Sequence, residues 1–269
     1  MLVGFTLADK AMIRIFVSIF VAAVSSFSAS VWAAHAFSLY DTPKYPPQFT
    51  HFDYLNPEAP KGGELYLANP DSRTSFDKFN PFSMKGVAAA GVSNLMFESL
   101  AINSADEIAT MYGLLAEDMT LSPDRLAMTF RIHPKARFNN GDAVLAEDVK
   151  YSFDTLMSKG APQFKMIYAD VKQCVVLDEL TVRFEFKTTN RELPLIVGGM
   201  PVFSRKWAAG TPFDKIQLTP PIASGPYTIE KYDLGRSIAY KRNPNYWGNQ
   251  IPARKGAFNF NRIIYRFYK

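Results

Sequence analysis

The chain has 269 residues, 48% of them apolar and 14% aromatic, and a formal net charge of +5. That length allows one or two domains with a sizeable core. Lys and Arg are scattered rather than gathered into a stripe, which argues against nucleic acid as a partner. The single cysteine, Cys174, excludes an internal disulfide and, with so few histidines, a zinc site. It sits in the apolar run Cys174-Val175-Val176-Leu177 and reads as a small buried hydrophobe.

Residues 1–36 read as an export signal. Lys10 and Arg14 form a positive start, Ile15 to Val31 is apolar, and Ala34-His35-Ala36 fits a small-x-small cleavage site. An uncleaved membrane anchor is the alternative, because the run approaches spanning length. Ser18, Ser25, Ser26, Ser28 and Ser30, and the lack of a basic stop-transfer cluster, favour cleavage. No cysteine lies near the junction to carry a lipid. Residues 37–63 contain Pro43, Pro46, Pro47, Pro57 and Pro60, which exclude helix and most ladder pairing. They predict an extended arm docked through Phe49, Phe52, Tyr54 and Leu55.

Glu64 to Ala68 predicts the first core strand. Phe79-Asn80-Pro81-Phe82 breaks regular structure and leads into the loop Ser83-Met84-Lys85-Gly86-Val87. A helix is predicted over 88–100 from the spacing of Val92, Leu95, Met96 and Leu100. Ser122-Pro123-Asp124 is a turn. Leu126, Met128, Phe130 and Ile132 then alternate with polar or small residues, the period of a half-buried strand. Asn139-Asn140-Gly141-Asp142 is a second turn. From Ala146 the period becomes helical through Val149, Phe153 and Leu156, with Glu147 and Asp148 in the first turn, where the helix dipole favours carboxylates.

A hairpin is predicted over 171–186, turning at Asp178-Glu179, with Val182, Phe184 and Phe186 on one face and Arg183 and Glu185 on the other. A second runs through 227–231 and 237–241, turning at Asp233-Leu234-Gly235. The last segment, 262–268, alternates like a strand and has no closing turn, so more chain is expected to complete its packing.

Three stretches together resemble one family. MTFRI at 128–132 followed by ARFNNGDAVLAEDVKYSF at 136–153 is similar to the central region of the periplasmic solute-binding proteins of family 5, the oligopeptide, dipeptide and nickel receptors of ABC importers. SGPYTI at 224–229 and KRNPNYW at 241–247 resemble two further family motifs in the family's order. The start, 35–65, looks like the Yej-type subgroup, which is associated with longer oligopeptides and microcin C. The resemblance runs from about His35 to Lys269.

The resemblance implies a mixed α/β fold: a periplasmic-binding-protein-like lobe with an inserted small domain. It implies a signal at 1–36, an arm at 37–63, first-lobe segments at 64–102 and 187–269, and the inserted domain at 103–186. Family members run to about twice this length, so the second, ligand-closing lobe is expected to be missing. This N-terminal portion is expected to bind peptide weakly or not at all alone. By resemblance, Met84, Lys85, Gly86 and Val87 face the ligand; the residues alone read as an ordinary loop before a helix. The implied partners are a peptide and the importer's permease subunits, the implied state is a monomer in the periplasm, and no cofactor or metal is implied. The family position of Leu145 is usually Thr or Ser, and a Leu there forgoes a helix cap worth roughly 1 kcal/mol.

Enzymatic activity is not expected. The chain has no G-x-S-x-G, H-E-x-x-H, P-loop or G-x-G-x-x-G motif, and His51 and His133 read as surface or packing residues. A chaperone-like or structural binding protein is the alternative, with a hydrolase behind it.

Overall fold

The computed structural model describes residues 34–68 and 75–268. The predicted export signal lies outside them as far as residue 33. No helix among the described residues is long and apolar enough to cross a membrane.

In chain order the strands are β1 (Ala36–Ser38), β2 (Gly62–Ala68), β3 (Glu98–Ser99), β4 (Ala101–Asn103), β5 (Thr110–Gly113), β6 (Ala116–Leu121) and β7 (Ala127–Ile132). They continue with β8 (Val171–Val176), β9 (Thr181–Phe186), β10 (Pro201–Val202), β11 (Tyr227–Asp233), β12 (Ser237–Arg242) and β13 (Phe260–Arg266). The helices are Val92–Met96, Ala146–Lys159, Pro162–Ile167 and Leu193–Gly198.

The N-terminal edge is woven in more tightly than the sequence predicts. Ala34 exchanges both backbone hydrogen bonds with Met119 at 2.9 Å, and β1 pairs antiparallel with β5. Cleavage after Ala36 would remove the Ala34 pair and the first residue of β1. The arm itself is a chain of turns rather than an extended strap, as in Phe49 N–H to Pro46 O at 2.9 Å and Leu55 N–H to Phe52 O at 2.9 Å. Proline removes donors, so the arm docks by side chains. Tyr45 and Phe52 are buried with Tyr112 and Ala253, and the Tyr45 hydroxyl donates to Asp106 Oδ2 at 2.6 Å.

Two four-stranded sheets carry the core. The first, in the order β6-β7-β9-β8, is antiparallel throughout. Met128, Phe130 and Ile132 and, from β9, Val182, Phe184 and Phe186 are buried, so the period-two reading of both strands holds. Leu126 departs from it: 37% exposed, it precedes the strand, and Ala127 turns inward instead. The helix Ala146–Lys159 covers the sheet with Val149, Phe153 and Leu156, and Phe153 meets Phe184 edge-on at 5.6 Å. Leu145 stands at the N-cap position, and Asp148 Oδ2 accepts its N–H at 3.1 Å. That is the half of a capping box a leucine permits.

The second sheet, β11-β12-β13-β2, joins the predicted hairpin to the last strand, and β13 runs parallel to β2. Its inner face carries Ile238, Tyr240 and Ile263 into the same hydrophobic cluster that holds Phe130 and Phe184.

The helix predicted over 88–100 is limited to Val92–Met96. Gly91 enters it at φ +82° and Phe97 is already extended. Two contacts end it. Gly225 N–H donates to Met96 O at 2.8 Å, and a Cβ on Gly225 would lie 2.5 Å from Met96 C, so only glycine allows the approach. Glu98 then turns into the core with its side chain 0% exposed. Its carboxylate accepts from the Tyr246 hydroxyl, from Trp247 Nε1 at 3.0 Å and from Arg254 Nε at 3.3 Å. The N-P-x-Y-W stretch is therefore a clasp on β3.

Glu98→Ala leaves Arg254 without its buried partner and is expected to cost about 3–5 kcal/mol in denaturant unfolding. Burial raises the Glu98 pKa, with Arg254 and the three donors pulling the other way. Between the ordinary carboxylate pKa and the raised folded value, the folded chain holds a proton that the unfolded chain has released. Stability therefore falls as pH rises through that window. Glu98→Gln is expected to abolish this slope; melts from acid to neutral pH showing the same slope in both proteins would contradict the assignment.

Candidate functional site

Met84, Lys85, Gly86 and Val87 lie together on one surface loop between the buried Phe82-Ser83 step and the turn that opens the short helix. Met84 is 74% and Val87 39% exposed. All four residues are exposed, and what fixes them lies beneath.

Lys78 is 4% exposed. Its Nζ donates to Ser83 O at 2.6 Å, Ser83 Oγ at 3.0 Å and Lys85 O at 2.5 Å. Three oxygens match the three N–H groups of an ammonium. Burial lowers the Lys78 pKa, and the neighbouring Asp77 carboxylate opposes the shift. Asp77 grips the other end of the loop. Its Oδ1 accepts the Val87 N–H at 2.7 Å, and its own N–H donates to Val87 O at 3.0 Å. Gly86 sits at φ +82°, and a Cβ there would lie 2.5 Å from Asp77 Oδ1. Only glycine satisfies both constraints. The loop's carbonyls at 83 and 85 thus point inward to Lys78. The N–H groups of Met84, Lys85 and Gly86 find no acceptor among the described residues.

The loop's flanks are anchored in both halves of the core. On one side Asn80 Oδ1 accepts the Phe82 N–H at 3.0 Å while its Nδ2 donates to Phe213 O at 2.8 Å. Phe82 stacks on Phe203 at 5.3 Å and meets Phe97 edge-on at 4.8 Å. Phe203 is in turn fixed by the long helix, because its N–H donates to the buried Ser152 Oγ at 3.0 Å. Two residues on, the Arg205 N–H donates to Asp148 Oδ1 at 3.1 Å. On the other side the Tyr240 hydroxyl, reaching from the inner face of the second sheet, donates to Ala90 O at 2.6 Å.

Sequence reasoning passed over Asp77 and Lys78. The available signal was a charged pair framed by aromatics, Phe76-Asp77-Lys78-Phe79, which marks charge placed inside a packed region. Asp148 was read as a dipole partner, yet it is buried and holds two backbone donors.

Other features carry less chemistry. A groove of about 410 Å³ lies on the outer face of the second sheet, lined by Tyr66, Tyr232, Arg262, Ile264 and Arg266. Two of its cations are engaged internally, Arg262 with Glu64 and Glu230 and Arg266 over the Tyr66 ring at 4.7 Å, and Lys231 also lines it. Cys174 is buried, and burial raises its thiol pKa. His133 Nδ1 accepts the Lys135 N–H at 3.0 Å, and burial lowers its pKa. Among the described residues no group of three or more His, Cys, Asp and Glu is placed to hold a metal ion.

Comparison with known proteins places these features in a lineage. The family model described as bacterial extracellular solute-binding proteins, family 5 Middle, matches residues 110–269. A putative binding protein of Brucella melitensis is 36% identical over 245 residues, 87% of this chain and 39% of its own length. The probable peptide-binding protein YejA of Agrobacterium fabrum is 36% identical over 255 residues, 92% of this chain and 41% of its own length. This chain therefore spans about two fifths of the curated relatives it matches. Among solved structures, the oligopeptide-binding protein AppA of Bacillus subtilis, in complex with a nonapeptide, superposes with a TM-score of 0.59 at 18% identity. That match covers 78% of this chain and 41% of AppA, and it shows a shared fold.

Lys78→Met strands the Ser83 and Lys85 carbonyls and is expected to cost about 1–3 kcal/mol. It is also expected to speed amide hydrogen exchange at Val87 and Ala89, whose N–H groups donate to Asp77 Oδ1 and Lys78 O, beyond any global change. Gly86→Ala, which displaces Asp77, is expected to loosen the same amides. Unchanged exchange in both variants would show that the loop is fixed by something else.

Proposed function

Since the chain belongs to the bacterial extracellular solute-binding proteins of family 5, we propose that it is a peptide-capturing component of an ABC importer. It works in the periplasm after export by the segment 1–36, as a monomer that presents its cargo to the importer's permease subunits. Its chemistry is enclosure and release, with no bond made or broken.

The observation that carries this reading is the loop Met84–Val87. Lys78 and Asp77 hold it from below, which leaves the N–H groups of Met84, Lys85 and Gly86 available on the outside. An extended peptide can pair with such a backbone edge as an added strand. Met84 and Val87 supply apolar contact beside that edge. Because the loop is already ordered by the core, little entropy is lost on binding. The Agrobacterium relative, a probable peptide-binding protein, and AppA, solved with a nonapeptide, support the same cargo.

In this reading the first sheet and the helix Ala146–Lys159 form the small domain inserted over 103–186. The second sheet, with the segments at 64–102 and 187–269, forms the first lobe. The part of the relatives' length that this chain does not span would supply the opposing wall of the cleft, closing by a hinge.

One wall alone is expected to bind weakly but saturably. Titrating defined oligopeptides into the isotopically labelled protein is expected to shift the amide resonances of 84–87. Val87→Asp is expected to remove those shifts while leaving the melting temperature unchanged. A folded protein whose loop amides do not move at the highest soluble peptide concentration would defeat the proposal.

A further inference from the structure

The loop that faces the ligand is electrically one-sided. Between Phe76 and Ala89 the ionisable residues are Asp77, Lys78 and Lys85. Asp77 is exposed and spends Oδ1 on the Val87 N–H, so one carboxylate stands against two lysines. Lys78 is buried, and among the described residues its Nζ meets only oxygens of Ser83 and Lys85 and no carboxylate. Lys85 itself is exposed and has no ion-pair partner among the described residues.

The backbone adds to this imbalance. Two carbonyls, Ser83 O and Lys85 O, are pulled inward by Lys78, so across their trans peptide bonds the N–H groups of Met84 and Gly86 are turned away from it. Outward-pointing amide N–H groups make an anion-favouring concavity. The Lys85 ammonium on its flexible stem can then reach an anion placed against those amides. The groove on the second sheet shows the contrast, because there the cation Arg262 is neutralised by Glu64 and Glu230.

We propose that Lys85 is a specificity-determining residue that selects peptides carrying a carboxylate where the ligand crosses this loop. The proposal rests on the peptide-binding reading and adds the class of peptide. The carboxylate can come from an acidic side chain or from the peptide's own C-terminus; the chemistry recognised is the same.

Alanine pentapeptides with a central Glu, Gln or Lys, each as free acid and as C-terminal amide, separate these sources. Affinities are read from titrations of the full chain followed by loop amide resonances. The Glu peptide amide is expected to bind roughly five- to tenfold more tightly than the Gln peptide amide, with the Lys peptide weakest. A free acid that outbinds its own amide would assign the carboxylate to the C-terminus and equally support the proposal. The preference is expected to shrink as salt is raised. Lys85→Glu is expected to reverse the order of Glu and Lys peptides at an unchanged melting temperature. Equal binding of every peptide would overturn the charge selection while leaving peptide capture standing. A preference that survives in Lys85→Glu would overturn the role of Lys85. If no peptide binds, peptide capture fails and this inference fails with it.

Discussion

A carboxylate removed entirely from water governs how this chain closes on itself. An unpaired buried charge is strongly unfavourable, so Glu98 is tolerated only where several donors converge on it. Tyr246, Trp247 and Arg254 supply them, from nearly 150 positions further along the chain. The closure is long in sequence, but the entropy of closing a loop grows only slowly with its length. The consequences are local as well. Glu98 must turn inward two residues after Met96, so the preceding helix ends, and β3 is freed to pair with β10.

The same device appears at two other junctions. Asp148 and Ser152 face inward from an otherwise apolar helix stripe and hold the backbone at Arg205 and Phe203. Lys78 faces inward beneath the surface loop and holds Ser83 and Lys85. At these two junctions a buried polar side chain grips backbone that has no regular ladder of its own, whereas Glu98 grips side chains. Irregular backbone under the surface must find partners somewhere, and side chains supply them here. Aromatic packing alone positions segments but does not fix which carbonyl faces which way. Buried polar contacts do, because only one arrangement satisfies them.

Much of the fold was legible where one periodicity ruled a segment. β7, β9 and the helix Ala146–Lys159 each turn one largely apolar face to the core, so alternation and helical spacing read correctly. Turns were legible through Gly and Asn, as at Gly141 with φ +89° and Gly235 with φ +77°. The stretch 88–100 was not, since its helical spacing is real but its ends are set by Gly225 and by the Glu98 clasp, both distant in sequence. The arm's prolines correctly excluded a ladder, yet they say nothing of the turns that replace it or of β1 joining β5. Of the candidate site, the four loop positions came from family resemblance. The support beneath them needed coordinates, because a lysine that is 4% exposed looks in sequence like any other lysine.

The motifs that betray the lineage sit at packing contacts between distant segments, away from the candidate loop. Gly225 and Tyr246-Trp247 lie where distant segments cross, at contacts with no tolerance for another shape or donor. Such positions keep a readable pattern because packing demands it. The loop proposed to meet the ligand is held through its backbone and so places few demands on side-chain identity, apart from Gly86 with its positive φ and its closeness to Asp77. Side chains at 84, 85 and 87 are then free to differ without disturbing the core, since only backbone atoms of the loop bond inward. The rigid part of the site is thus encoded underneath, and what the loop prefers is encoded on top.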